Sequence, residues 1–124
     1  MAVPILKQGD YLIASIQAAL TDADLMELEH NLVSGVGKFR SRGVIVDVTA
    51  LDVMDSFATR TLRNIAHTIR LRGAETVIVG IQPGVAFAMV QLGLTLDNVS
   101  TTLDLEEGLT LLNRRSRSGA NHGR

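Results

Sequence analysis

The sequence predicts an α/β domain: a mostly parallel sheet of about five strands, edged by an N-terminal antiparallel hairpin and covered by about four helices. Three observations carry this prediction. The short runs GVIVDV at 43–48 and ETVIVG at 75–80 are β-branched and apolar almost without a break, the pattern of strands buried on both faces of a parallel sheet. Around them, apolar residues recur at helical spacing. A chain of 124 residues, 46% hydrophobic and 20% charged, suits one domain with one buried core.

The elements follow in order. Residues 3–7 and 11–16 are apolar runs separated by Gln8, Gly9 and Asp10, a hairpin signal. From Asp22 to Phe39 the stripe Leu25, Leu28, Leu32, Val36 and Phe39 predicts a helix, with Thr21, Asp22 or Asp24 available to cap it. The strand at 43–48 comes next. Ala58, Leu62, Ile65, Ala66 and Ile69 then form a second helical stripe, ended by Gly73. After the strand at 75–80, Pro83 opens a short helix that Gly93 closes. Its segment Val85, Phe87, Met89, Val90, Leu92 and Leu94 is apolar nearly all round, which leaves two outcomes, complete burial or a subunit contact. A weak strand near 99–103 precedes a last helix from Asp104, with Leu105, Leu109 and Leu112 on one face and Asp104 with Glu107 set as a capping box. Strands alternating with helices imply right-handed crossovers. The domain is expected over 1–113. The remainder, RRSRSGANHGR at 114–124, is expected to be a disordered basic tail whose four arginines either solubilise it or suit an acidic partner.

Several function classes fall away. Twelve Lys and Arg against thirteen Asp and Glu give no global field for nucleic acid or an anionic membrane. Without cysteine there is no disulfide framework, thiolate zinc site or cysteine nucleophile. The start MAVPILKQGDY lacks the pattern of a signal peptide, and no apolar run approaches the ~20 residues that span a bilayer, so a cytoplasmic protein is expected. His30, His67 and His122 show no metal-ligand spacing. There is no GxSxG elbow, Walker loop or GxGxxG, and Gly80-Ile-Gln-Pro-Gly84 reads as a turn from strand into helix. No enzyme activity, cofactor or metal is expected.

Functional groups in α/β sheets collect beyond the carboxyl ends of the strands. Here that place is DVTALDVMDSFATRT at 47–61. Ser56 follows Asp55 and stands at the start of a helix, where a hydroxyl can cap the helix and a phosphate can meet unpaired N–H groups and the positive end of the dipole. From the residues alone, a plain helix cap and a regulatory phosphoacceptor both remain open. Arg60 lies one turn on, and Arg63, His67 and Arg70 continue a basic stripe that reads either as a solvated face or as part of a recognition surface. Asp47, Asp52 and Asp55 read as loop solubility and capping in preference to a metal cluster. A response-regulator receiver would place its acceptor aspartate where Asp47 stands, but it also needs an acidic pair after its first strand and a lysine after its fifth; the only lysines are Lys7 and Lys38.

These residues resemble the STAS family of anti-sigma-factor antagonists, and within it the small scaffold subunits of the bacterial stressosome. The resemblance covers roughly residues 3–112 and rests on PIL at 4–6, SIQ at 15–17, VIVDVTALDVMDSF at 44–57, GIQPGVA at 80–86, LGL at 92–94 and TLDLEEGL at 102–109. It implies that Ser56 accepts phosphate from a serine kinase, that the unmodified surface holds this kinase, and that modification releases it. Thr59 is the alternative acceptor. It further implies a partner-binding surface around Asp52, Asp55, Ser56, Phe57, Arg60 and Arg63. The implied partners are a second copy, a larger sensor-bearing paralogue, the switch kinase and a cognate phosphatase. Paralogues of the sensor type commonly carry Thr as acceptor, so Ser56 and the short N-terminus favour the scaffold subunit. The alternative within the family is an antagonist that binds an anti-sigma kinase directly.

Overall fold

The computed structural model describes residues 3–97 and 99–122, with side chains as far as residue 116. The chain runs β1 (Ile5–Gln8), β2 (Tyr11–Ser15), α1 (Asp22–Phe39), β3 (Gly43–Asp47), α2 (Ser56–Leu71), β4 (Glu75–Val79), α3 (Pro83–Gln91), β5 (Ser100–Thr102) and α4 (Leu105–His122). Strand order follows sequence order, with β1 antiparallel to β2 and every later pair parallel. One row of the register crosses the parallel strands through Ile13, Ile45, Val77 and Ser100.

Because successive strand residues point to opposite faces, the two faces of the sheet build separate cores. Leu12, Ala14, Val44, Val46 and Ile78 meet α1 and α2, with Val85 and Met89 of α3 closing the layer. Tyr11, Ile13, Ile45, Val77 and Val79 meet Leu112, Leu105 and Leu109 of α4. Both faces of the central strands are thus apolar, which is why their sequences read as unbroken runs. Helix α1 starts at a capping box in which Thr21 Oγ1 accepts from the Asp24 N–H and the Asp24 carboxylate accepts from the Thr21 N–H, both at 3.1 Å. At α4, Asp104 Oδ1 accepts from the Glu107 N–H at 2.9 Å, but Glu107 returns its carboxylate to the Leu103 N–H and not to that of Asp104.

Two elements bear on the sequence reading. Helix α4 passes Asn113 and is assigned as far as His122. At Asn113 and Arg115 the helix is tied to the sheet: Tyr11 donates its hydroxyl to Asn113 Oδ1 at 2.6 Å, while Arg115 forms an ion pair with Glu75 and donates to Ser100 Oγ at 2.8 Å. Residues 123–124 of the expected tail lie outside the described residues. Of the two outcomes left open for α3, complete burial is not the one found: Val85 and Met89 are covered, and Phe87, Val90 and Leu92 are exposed.

Candidate functional site

The parallel strands end together, and the loops after β2, β3 and β4 gather at that end. The loop after β3 begins at Asp47, whose Oδ1 accepts from both the Thr49 N–H at 2.9 Å and the Thr49 hydroxyl at 2.6 Å. The carboxylate is spent on shaping a turn. Across from it, Gly80 has φ +80°, and a Cβ there would lie 1.9 Å from Thr49 Oγ1. Gln82 donates its amide to the Thr49 carbonyl at 2.7 Å. The loops after β3 and β4 are therefore one packed unit, not two independent turns.

At the far end of the loop, Asp55 is the N-cap of α2. Its Oδ1 accepts from the Ala58 N–H at 2.8 Å, and its carbonyl accepts from the Thr59 N–H at 3.1 Å. This corrects the sequence-based option in which Ser56 caps the helix: Ser56 is the first helical residue, half-buried, and its hydroxyl makes no hydrogen bond among the described residues. The Ser56 and Phe57 N–H groups also find no protein acceptor among the described residues, as expected in the first turn of a helix. The other hydroxyl considered behaves differently. Thr59 is 1% exposed and donates to the Asp55 carbonyl at 3.0 Å, so it is withdrawn from the surface as an acceptor.

The remaining candidate residues separate into two groups. Asp52 and Arg60 are exposed, and Phe57 is 41% exposed beside Ser56. Arg63 is not part of this surface in the same sense: it donates to the Thr95 carbonyl at 3.3 Å, and one turn later His67 meets the Asp97 carbonyl at 3.3 Å. The basic stripe is thus partly a tie between α2 and the segment leading to β5, while Arg60, His67 and Arg70 stay exposed. Sequence reasoning passed over Val53, 67% exposed two residues before Asp55. Val53 also lines a small apolar notch of ≈ 80 Å³ with Leu20, Leu25, Met54, Asp55 and Leu62. The available signal was an apolar pair, Val53 and Met54, inside an otherwise acidic loop. Met54 turns inward and Val53 outward.

Among the described residues no group of three His, Cys, Asp or Glu side chains is placed to hold a metal ion, and no helix is long and apolar enough to cross a membrane. What the arrangement offers is a half-buried hydroxyl beside two open N–H groups, ringed by exposed carboxylates and two apolar side chains. Among the described residues no side chain hydrogen-bonds to that hydroxyl.

A five-stranded sheet of this order with an acidic loop leading into its second helix defines a class of domain, and a family model described as STAS domain matches residues 2–108: the chain belongs to the STAS domain family. Among solved structures it is similar to an RsbS variant from Moorella thermoacetica, with 34% identity, a TM-score of 0.81 and coverage of 93% of this chain and 97% of the other. It is equally similar to a chain of the stressosome, described as a signal integration and transduction hub, at 35% identity, TM-score 0.79 and coverage of 92% and 99%. The RsbT co-antagonist protein RsbRA of Bacillus subtilis is 35% identical over 79 residues, 64% of this chain. That match spans 29% of the length of RsbRA.

Proposed function

We propose that this chain is a phosphorylation-switched, non-catalytic scaffold subunit of a bacterial stressosome, acting in the cytoplasm. Its unmodified surface around Ser56 sequesters a serine/threonine kinase of the RsbT type, and phosphorylation of Ser56 releases that kinase to general stress signalling. Co-assembly would be with sensor-bearing paralogues of the RsbR type, and a phosphatase of the RsbX type would reset the switch. The observation that carries the proposal is the division of labour between Asp55 and Ser56. Asp55 caps α2, so the Ser56 hydroxyl is left without an intramolecular task at a helix N-terminus.

The physical consequences are direct. A phosphoryl group adds about −1.5 to −2 charge and three acceptor oxygens. The open N–H groups of the first turn and the positive end of the dipole can take those acceptors with no change of fold. Beside Asp52 and Asp55, the new charge concentrates a negative field. A partner that had buried Val53 and Phe57 against a neutral hydroxyl then faces repulsion and desolvation cost. Support from relatives is of the same kind: structures at 34% and 35% identity are an RsbS protein and a stressosome chain. The test is incubation of the full chain with the cognate kinase and ATP, followed by mapping of the modified residue. Phosphate on Ser56 alone is expected; phosphate elsewhere, or none, would overturn the proposal.

A further inference from the structure

At the end of the sheet where the parallel strands begin, three arginines from three separate places in the fold border one open cleft of ≈ 490 Å³. Arg42 immediately precedes β3, Arg70 lies in the last turn of α2, and Arg115 belongs to α4. Ala74 and Leu112, 5% and 2% exposed, form the floor, and Glu75 and Ser116 share the rim with the arginines. The backbone that carries this rim is fixed. Arg42 donates its N–H to the Asp10 carbonyl at 2.8 Å, and its own carbonyl accepts from the Glu75 N–H at 3.1 Å. The Gly73 and Ala74 N–H groups close the end of α2 by donating to the Arg70 and Ile69 carbonyls at 2.9 and 3.1 Å. Arg115 is set by its ion pair with Glu75 and its hydrogen bond to Ser100 Oγ. A site held in this way loses little freedom when a ligand enters.

The negative end of the α2 dipole accounts for a cation at Arg70. It does not account for Arg42, which belongs to no helix and whose guanidinium makes no hydrogen bond or ion pair among the described residues. The Ser116 hydroxyl likewise has no partner among them. Three guanidinium groups against the one carboxylate of Glu75 make the cleft positive, in a chain whose formal net charge is −1. The positive charge is therefore local, and confined to a concave site.

We propose that this cleft binds a small phosphomonoester with an apolar body. Guanidinium forks pair with phosphate oxygens through charge-assisted hydrogen bonds, and a dianion with three terminal oxygens can accept from three directions at once. A carboxylate ligand has two oxygens and would only repeat what Glu75 already gives Arg115. The cleft is far larger than one phosphate group and lies in the size range of small-ligand sites. Its floor of Ala74 and Leu112 suits the apolar body. Glu75 is an internal competitor, which the incoming phosphate displaces from Arg115. The site lies at the opposite end of α2 from Ser56 and does not depend on Ser56 being a phosphoacceptor.

Nuclear magnetic resonance of the full chain, isotopically labelled and titrated with phenyl phosphate at an ionic strength held constant with sodium chloride, tests it. The amide signals of Arg42, Glu75 and Arg115 should move together and saturate, with a dissociation constant below about 1 mM. Inorganic phosphate should move the same signals but bind about tenfold more weakly, because it brings no apolar surface to the floor. Arg42→Gln, which removes no side-chain bond of the fold, should weaken phenyl phosphate about tenfold or more. Glu75→Gln should tighten it about threefold or more by removing the competing carboxylate. Loss of structure cannot produce that second sign, and if Glu75→Gln fails to fold, the wild-type titration and Arg42→Gln decide. The proposal is overturned by signals that never saturate, or by movement confined to the open N–H groups at Ser56 and Phe57. It is equally overturned if inorganic phosphate binds as tightly as phenyl phosphate, if Arg42→Gln binds like wild type, or if folded Glu75→Gln binds no more tightly.

Discussion

Two adjacent residues, Asp55 and Ser56, divide the work at the head of α2. The carboxylate of Asp55 holds the third N–H of the helix, and the serine that follows carries no structural bond. Substitutions at the two positions are therefore expected to have opposite signatures. Asp55→Ala should cost about 1 kcal/mol of stability, the usual loss on removing a helix cap, read as a lower midpoint in urea with an unchanged slope. Ser56→Ala should leave the midpoint within about 0.5 kcal/mol of wild type, as expected for a side chain with no packing or capping role. Under the proposed switch, Ser56→Ala retains the kinase, whereas Ser56→Asp weakens its binding by about tenfold or more. Titration calorimetry against the kinase would measure both, and equal affinity for wild type, both variants and the phosphoprotein would sink the mechanism.

Elements position these residues through a contact that leaves little room. The loop after β3 is held by Asp47 and Thr49, and the chain leaving β4 passes Thr49 so closely that only glycine fits at position 80. The conformation at Gly80 is itself left-handed, at φ +80°. Gly80→Ala is expected to combine backbone strain with collision against Thr49, destabilising the protein by about 1–3 kcal/mol. The same change should increase amide hydrogen exchange across the loop after β3 as well as around residue 80, because the loops move as one unit. Exchange confined to the neighbours of Gly80 would argue that Thr49 can turn aside. Helix α4 uses a similar economy. A Cβ at Gly108 would stand 2.8 Å from Val79 Cγ1, so the bare glycine lets the helix lie close on β4.

The whole molecule has two cores on one sheet, and they differ in size. The layer under α1 and α2 is broad, whereas the layer under α4 depends on a few side chains, of which Leu112, among the described residues, is the fully buried one contributed by that helix. Leu112→Ala should cost about 2–5 kcal/mol by loss of burial and formation of a cavity. Since Tyr11, Asn113, Glu75 and Arg115 join α4 to the starts of the strands at the same place, this variant should also loosen that end of the sheet. Denaturant unfolding followed by far-ultraviolet circular dichroism would measure the cost. A loss below about 1 kcal/mol would mean that α4 is not an integral layer.

Much of the architecture was legible in the residues. The hairpin, the bounds of α1, the buried character of β3 and β4 and the start of α3 at Pro83 follow from periodicity, turn residues and caps, which are local and act wherever the chain goes. The place of the acidic loop before α2 was legible too, because an α/β order dictates where strands end. Other features depend on neighbours distant in sequence. Sequence alone left Ser56 open between cap and acceptor; the backbone at Asp55 decided which of two adjacent polar side chains reaches the third N–H. Thr59 looked like a spare acceptor until packing of α2 buried it, and Arg63 looked like part of a basic face until the segment before β5 supplied the Thr95 carbonyl. The domain boundary placed at Asn113 rested on a polar composition, whereas Tyr11 and Glu75, far back in the chain, supply contacts to Asn113 and Arg115. By itself, then, the sequence determined the elements, the two-faced sheet and the address of the site. Only the tertiary structure decided which hydroxyl is left without a bond and which cations are already engaged, because each is settled by groups brought together in folding.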